Sequence, residues 1–314
     1  MTAGQDPAAV GVEVECRQAF ADAAAHGMRL DKWLVSLAPE FSRSHLQGLI
    51  DDGHVRVQGQ VMRSASRRIS AGQQIEVDLW PTAQSTAFRP EPMVLTIVHE
   101  DDSLLVVNKP AGLVVHPAAG HWSGTLLNGL LAHHAKAATL PRAGIVHRLD
   151  KDTSGLMVVA KTLEAQTALV RAIAAREVHR EYRALVHGAL PATLVRIETP
   201  IGRDPVSRVR MAVVASGKPA RTDIQLIATR DGCSAVHCKL HTGRTHQIRV
   251  HLSSRGYPLL GDLVYGGRAA LGMQRQALHA ARLAFVHPLH GQTVQFEAPL
   301  PTDLAQAWAQ VVGA

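Results

Sequence analysis

Between residues 80 and 92 the chain reads Trp-Pro-Thr-Ala-Gln-Ser-Thr-Ala-Phe-Arg-Pro-Glu-Pro. Each of Pro81, Pro90 and Pro92 fixes its own φ, removes a backbone donor and pushes the preceding residue away from the helical region. Neither a helix nor a central strand runs through such a stretch. Residues 81–92 are therefore expected to be a linker that divides the 314-residue chain into a short first part and a long second part. A chain of this length supports two folding units and buries a core without disulfide or metal staples. Apolar residues make up 46% and charged residues 19%, which excludes a disordered chain. Apolar runs such as residues 156–160 are far short of the roughly 18 needed to span a bilayer. The start of the chain has no apolar segment after a basic stretch, so no secretory signal is expected. Cys16, Cys233 and Cys238 are few and odd in number, which fits reduced thiols in a cytoplasmic setting.

Residues 1–25, rich in alanine, glycine and small polar residues, read as a flexible tail that could carry a frayed helix. Residues 26–80 follow as a compact α/β pattern. Leu30, Trp33 and Leu34 share one helical face, and Ser42 caps a second helix with Leu46, Leu49 and Ile50 inward and Gly53 at its end. Val55-Arg56-Val57 alternates as a strand, Gln58-Gly59 turns it, and Gln74 to Val77 supplies another. Arg43, Arg56, Arg63, Arg67 and Arg68 decorate this unit and suit contact with an RNA backbone.

Residues 93–314 carry many strands and a few separate helices, so the fold class is α+β rather than an alternating parallel sheet. Strands are expected at residues 103–108, 113–116, 156–160, 182–186, 235–240 and 247–252. Helices are expected at 125–133 and 163–176, the latter with Leu169, Ile173 and Val170 inward. The net charge is +7, and the stretch from Arg203 to Arg255 holds ten basic residues against three acidic ones. Such a concentration favours a polyanion as partner, against the alternative of a solubilising surface. Aromatics are only 4%, too few for many base-stacking platforms.

Two segments carry the chemistry. His147-Arg-Leu-Asp150-Lys-Asp152-Thr-Ser154-Gly155 crowds titratable side chains at a strand entrance, where catalytic groups concentrate. Its Asp-x-Asp-x-Ser-Gly resembles the opening of a calcium loop, but the twelfth position, where a bidentate carboxylate belongs, is Lys161. A capped turn, with Asp152 or Ser154 holding local amides, remains open for part of the segment. The second is His241-Thr-Gly243-Arg244-Thr-His246-Gln247-Ile-Arg249-Val-His251-Leu252. Read as a turn and a strand, it puts Gln247, Arg249 and His251 on one face. An arginine reaching into a cleft from there can grip a carboxylate in two places and oppose the pKa rise that burial causes. Cys233, Cys238, His241 and His246 offer a zinc-like set with poor spacing, so no metal is expected. No Gly-rich nucleotide fingerprint is present, so no cofactor is expected either.

The run from Arg142 through His147-Arg148-Leu149-Asp150 to Lys161 resembles the signature of the RluA-type pseudouridine synthases. Further blocks keep that family's order: Asn108-Lys109-Pro110-Ala-Gly112 with Val115-His116-Pro117, Arg180-Glu181-Tyr182-Arg183, Gly243 to His251, and Gly261-Asp262 with Val264-Tyr265-Gly266-Gly267. Together they cover about residues 93–300. Residues 28–79 resemble the S4 RNA-binding domain that precedes the catalytic domain in many members. The resemblance implies an S4-like unit followed by a catalytic domain on a mixed, largely antiparallel sheet with flanking helices. It implies Asp150 as catalytic aspartate, Arg249 as its partner, and Tyr182 as the ring packed on the target uracil and candidate acceptor of the C5 proton. It implies Arg148 as the side chain that fills the gap left by the flipped nucleotide. Arg244 joins Arg148, Arg43, Arg56, Arg67 and Arg68 as candidate RNA contacts. The lead-in Pro141-Arg-Ala-Gly144 and the segments Met211-Ala-Val and Gly217-Lys-Pro-Ala220 resemble the branch acting on a stem-loop of 23S ribosomal RNA. The implied partner is 23S rRNA or a large-subunit assembly intermediate, with no membrane and no obligate protein partner.

Overall fold

The computed structural model describes residues 14–80, 87–118, 120–207 and 209–313. Of the expected tail and linker, residues 1–13 and 81–86 lie outside these, as does Arg208. The chain divides into two compact units, Met1–Ala87 and Phe88–Ala314.

The first unit contains β1 (Glu15–Phe20), α1 (Leu30–Leu37), α2 (Arg43–Asp52), β2 (Val55–Val57), β3 (Gln60–Met62) and β4 (Gln74–Leu79). Its sheet runs β1-β4-β2-β3 with every pair antiparallel. Leu30, Trp33 and Leu34 of α1 pack against Leu46, Leu49 and Ile50 of α2 and against Ile75 and Val77 of β4. Ser42 Oγ accepts the His45 N–H at 3.3 Å, and Gly53 closes α2 in the left-handed region at φ 88°. The tail expected up to residue 25 is overturned for Glu15–Phe20, which pairs with β4 along its whole length. That strand buries no residue and shows no apolar alternation, so nothing in the sequence announced it.

The second unit contains β5 (Ile97–Glu100), β6 (Leu104–Lys109), α3 (Leu126–His133), β7 (Ser154–Ala160), α4 (Leu163–Ala174), β8 (His179–His187), β9 (Arg196–Glu198), β10 (Ile201–Arg203), β11 (Met211–Val213), β12 (Arg221–Arg230), β13 (Cys233–Leu240), α5 (Gln247–Ser254), β14 (Leu278–Val286), β15 (Thr293–Glu297) and α6 (Thr302–Val312). Nine strands form one sheet in the order β5-β6-β7-β14-β8-β13-β12-β9, with β15 also on β14, and β10-β11 stand apart as a hairpin. Among the described residues only β7 and β14 run parallel, so the sheet is mixed and largely antiparallel and the fold is α+β. Strand β7 is buried on both faces. Met157 and Val159 join the core that holds Tyr182 and Val236, while Leu156 and Val158 join the core under α4 with Leu169. Val170 of α4 is 49% exposed and does not point inward as expected. Residues 113–116 are irregular, with a bend at 115–116, and do not form the expected strand. Their backbone instead meets α3 and Lys109, Val114 and Val115 carbonyls receiving the N–H groups of Leu126 and Leu127.

Candidate active site

A cleft of about 680 Å³ opens on the Tyr182 side of the sheet. Asp150, Tyr182, Arg249, Arg148 and Arg244 all line it, as do His147, His246 and Arg180. Asp150 sits in the loop that enters β7. That loop is pinned from below by Lys109, 1% exposed, whose Nζ donates to the carbonyls of Pro110, Leu113 and Lys151 at 2.9 Å each. Burial lowers the Lys109 pKa to about 8, still above neutrality, so at pH 7 the ammonium has one N–H for each carbonyl. Past Asp150, Gly155 takes φ 118° and lies so near β14 that a Cβ there would stand 2.3 Å from the Ala280 carbonyl oxygen. Only glycine lets the loop hand over to β7 at this point.

Arg249 does not stand on a strand. Residues 247–254 form α5, which corrects the strand expected at 247–252 and the shared face of Gln247, Arg249 and His251. On a helix, positions 247 and 251 face one way and 249 nearly the opposite way. Gln247 Nε2 accordingly donates to the Arg221 carbonyl and Thr222 Oγ1, and His251 Nδ1 meets the same Thr222 hydroxyl at 2.9 Å. Gln247 Oε1 also accepts from Thr242 Oγ1 and the Arg244 N–H, which fixes the turn. Arg249, 5% exposed, turns to the cleft. Its Nε and Nη2 grip Asp262 at 2.8 Å each, and Nη1 reaches Asp150 Oδ2 at 3.0 Å. Burial works against the guanidinium charge, but the two carboxylates outweigh it and hold its pKa above the ordinary value.

The other oxygen of Asp150 faces His246, with Nε2 3.8 Å from Oδ1. His246 occupies the left-handed region at φ 56° just before α5. Its Nδ1 is 2.7 Å from the Tyr265 hydroxyl, which also accepts the Met211 N–H at 2.9 Å. The Tyr265 ring lies under Arg249, 4.9 Å from ring centroid to guanidinium carbon. Tyr182, 5% exposed on β8, has its phenol pushed up to about 12 by burial. His147 Nε2 accepts the Val158 N–H at 3.0 Å, and burial lowers its pKa to about 3, so the ring is neutral. Arg148 is exposed at the rim, and Arg244 Nε donates to the Pro219 carbonyl.

The arginines of the first unit are placed differently from one another. Arg43 donates to Asp31, 0% exposed, at 2.7 Å, and Arg56 to Glu76 and Asp78. Arg68 donates to the Gly27 carbonyl, and Arg67 is exposed. Sequence reasoning missed Asp262, the His246–Tyr265 pair and the role of Lys109. Asp262 belongs to a quoted motif, but a lone aspartate 13 residues from its partner carries no spacing signal.

Residues 103–254 match the RNA pseudouridylate synthase family, and residues 28–75 match the S4 domain. The chain belongs to the RNA pseudouridylate synthases and carries an S4 domain in front; it is a pseudouridine synthase, an isomerase. It is 53% identical over 88% of its length to the ribosomal large subunit pseudouridine synthase D of Neisseria meningitidis serogroup A, covering 77% of that protein. The protein of the same name from Nitrosomonas europaea is 48% identical, with 89% of this chain and 83% of that one covered. Among solved structures, human RNA pseudouridylate synthase domain containing 1 superimposes with a TM-score of 0.53 at 31% identity, covering 67% of this chain and 86% of that one.

Proposed function

We propose that this protein isomerises uridines of 23S ribosomal RNA, free or in an assembling large subunit in the cytoplasm, by flipping the nucleotide into the cleft. The relatives named for the large ribosomal subunit support the substrate. No helix among the described residues is long and apolar enough to cross a membrane. The single observation that carries the mechanism is Asp150 held by Arg249 at 3.0 Å in a cleft wide enough for a nucleotide. Breaking the N1–C1′ bond builds positive character on the sugar, which a carboxylate relieves by bonding to C1′ or by taking a sugar proton. The base then turns and C5 bonds to C1′ as the Asp150–C1′ bond breaks or the sugar proton returns from Asp150. C5 gives up its proton to the freed carboxylate or to solvent and N1 takes one up, so the composition is unchanged, no water adds and no second carboxylate is required. Arg249 occupies Oδ2 and leaves Oδ1 on the side of His246. Tyr182 packs its ring on the uracil; a phenol protonated up to about 12 is a platform in the resting state and not a base. Extruding the nucleotide costs a few kcal/mol, which Arg148 and the other rim arginines offset through phosphate and stacking contacts.

The test is pure protein with unmodified 23S rRNA, mapped for pseudouridine by carbodiimide. Asp150→Asn is expected to abolish product while RNA binding stays within about threefold, a change below 1 kcal/mol. Asp152→Asn is the milder control. An active Asp150→Asn enzyme overturns the mechanism, and binding without product by the wild type points to an RNA-binding assembly factor.

A further inference from the structure

Among the described residues of the cleft, Arg180 is a buried cation with no carboxylate partner. It sits on β8 two residues before Tyr182, so both side chains leave the same face of the strand. It is 7% exposed, and its Nε is buried without a hydrogen-bond partner. Among the described residues no carboxylate forms an ion pair with it. A buried guanidinium is normally paired, because taking the charge out of water is costly. The surrounding chain leaves it room: a Cβ at Gly243 would come within 2.7 Å of Arg180 Nη1. The neighbouring ring, His147, has its Nε2 already taken by the Val158 N–H and offers no negative charge. The exposed arginines at the rim, Arg142, Arg148 and Arg176, differ in that water already solvates them.

We propose that Arg180 is a substrate-binding residue whose guanidinium grips a backbone phosphate adjoining the flipped uridine. This deepens the RNA-isomerase reading and rests on it. The flat guanidinium fork matches two phosphate oxygens. A phosphate also brings a full negative charge before any bond breaks, which a neutral uracil carbonyl does not. The free protein thus holds a guanidinium whose Nε has no partner and which lines the cleft where the RNA would lie.

The experiment uses the full chain and the shortest 23S rRNA fragment that the wild type converts. If the wild type converts no fragment, the isomerase reading on 23S rRNA fails by itself. The Arg180 comparison is read on binding, in an Asp150→Asn background where no turnover occurs. Arg180→Gln is expected to weaken binding at least about tenfold, the size of one charge-assisted contact. The slope of log affinity against log salt is expected to become shallower by about one. Arg180→Lys should recover part of both. Removing an unpaired buried charge should leave the melting temperature equal or higher, whereas a structural arginine would lower it. Unchanged affinity and salt slope in Arg180→Gln overturn the proposal, and so does a lowered melting temperature. A loss confined to the single-turnover rate of Arg180→Gln with Asp150 present, at unchanged affinity, also overturns it and reassigns Arg180 to the departing uracil.

Discussion

Arg249 stands between two carboxylates that do different work. Asp262, 1% exposed, takes two of its nitrogens and sets the plane of the guanidinium, so that the third points at Asp150. Asp262→Ala leaves a buried cation with one partner, a change that typically costs about 3–5 kcal/mol. We expect a lower melting temperature together with a slower single-turnover rate at saturating RNA. A wild-type rate in a folded Asp262→Ala protein would show that Arg249 needs no such support. Lys109 acts one step further away, through backbone carbonyls. Lys109→Met frees the Asp150 loop, and a misplacement near 1 Å costs about 100-fold in rate. The expected result is a reduced rate at saturation with RNA affinity unchanged. Histidines held wholly or largely out of water give the pH dependence its sign. Burial lowers His147 to about 3 and His279 to about 4, both below the ordinary value of 6.5. Between those values the unfolded chain binds protons that the folded one refuses, so stability is full above about 6.5 and is lost as pH falls toward 4. Urea midpoints at pH 7.5, 5.5 and 4.5 should fall in that order; a flat series down to pH 5 contradicts it.

Elements were legible where one face is buried and the other wet. Helices α1 and α2 follow from Leu30, Trp33, Leu34, Leu46, Leu49 and Ile50, and β4 from its strict alternation. Helix α5 was misread because residues 247–252 are buried on every side while their polar and apolar types happen to alternate. A helix buried all round has no stripe, so periodicity points to the wrong element. Asp150, Tyr182 and Arg249 stand in dense motifs whose residue types announce chemistry, whereas the work of Asp262 and Lys109 lies in hydrogen bonds to Arg249 and to backbone carbonyls that no residue spacing reveals. The junction of β7 with β14 is the element-scale weak point, because it is the sheet's single parallel pairing. At Gly155 both the positive φ and the Ala280 backbone forbid a side chain. Gly155→Ala is expected to destabilise the second unit by at least about 3 kcal/mol, in the range of severe backbone and overpacking defects. Its signature is a lowered thermal midpoint, or insoluble protein, with the catalytic side chains all intact.

Charge is distributed unevenly over the whole molecule. Met1–Ala87 carries eight lysines and arginines against ten aspartates and glutamates, a net −2, which leaves +9 on Phe88–Ala314. Within the first unit, Arg17, Arg29, Arg43 and Arg56 are already engaged with carboxylates. Of the four arginines Arg43, Arg56, Arg67 and Arg68, the first two are already paired with carboxylates of the unit, and Arg67 and Arg68, which pair with no carboxylate among the described residues, are the freer ones for phosphate. The salt dependence of RNA binding tracks the number of phosphates neutralised. It should therefore reside mainly in the second unit, although the first carries the S4 domain. Each unit has its own core, so residues 88–314 can be tested as a separate chain. That chain is expected to bind the 23S fragment more weakly, to keep most of the salt slope, and to convert it at the full-length rate once saturated. Arg67→Ala with Arg68→Ala in the full chain should reproduce the weaker binding, whereas Arg43→Ala and Arg56→Ala should lower stability instead. If removing residues 1–87 abolishes most of the salt slope, the dominant phosphate contacts belong to the first unit and the net charge has misled.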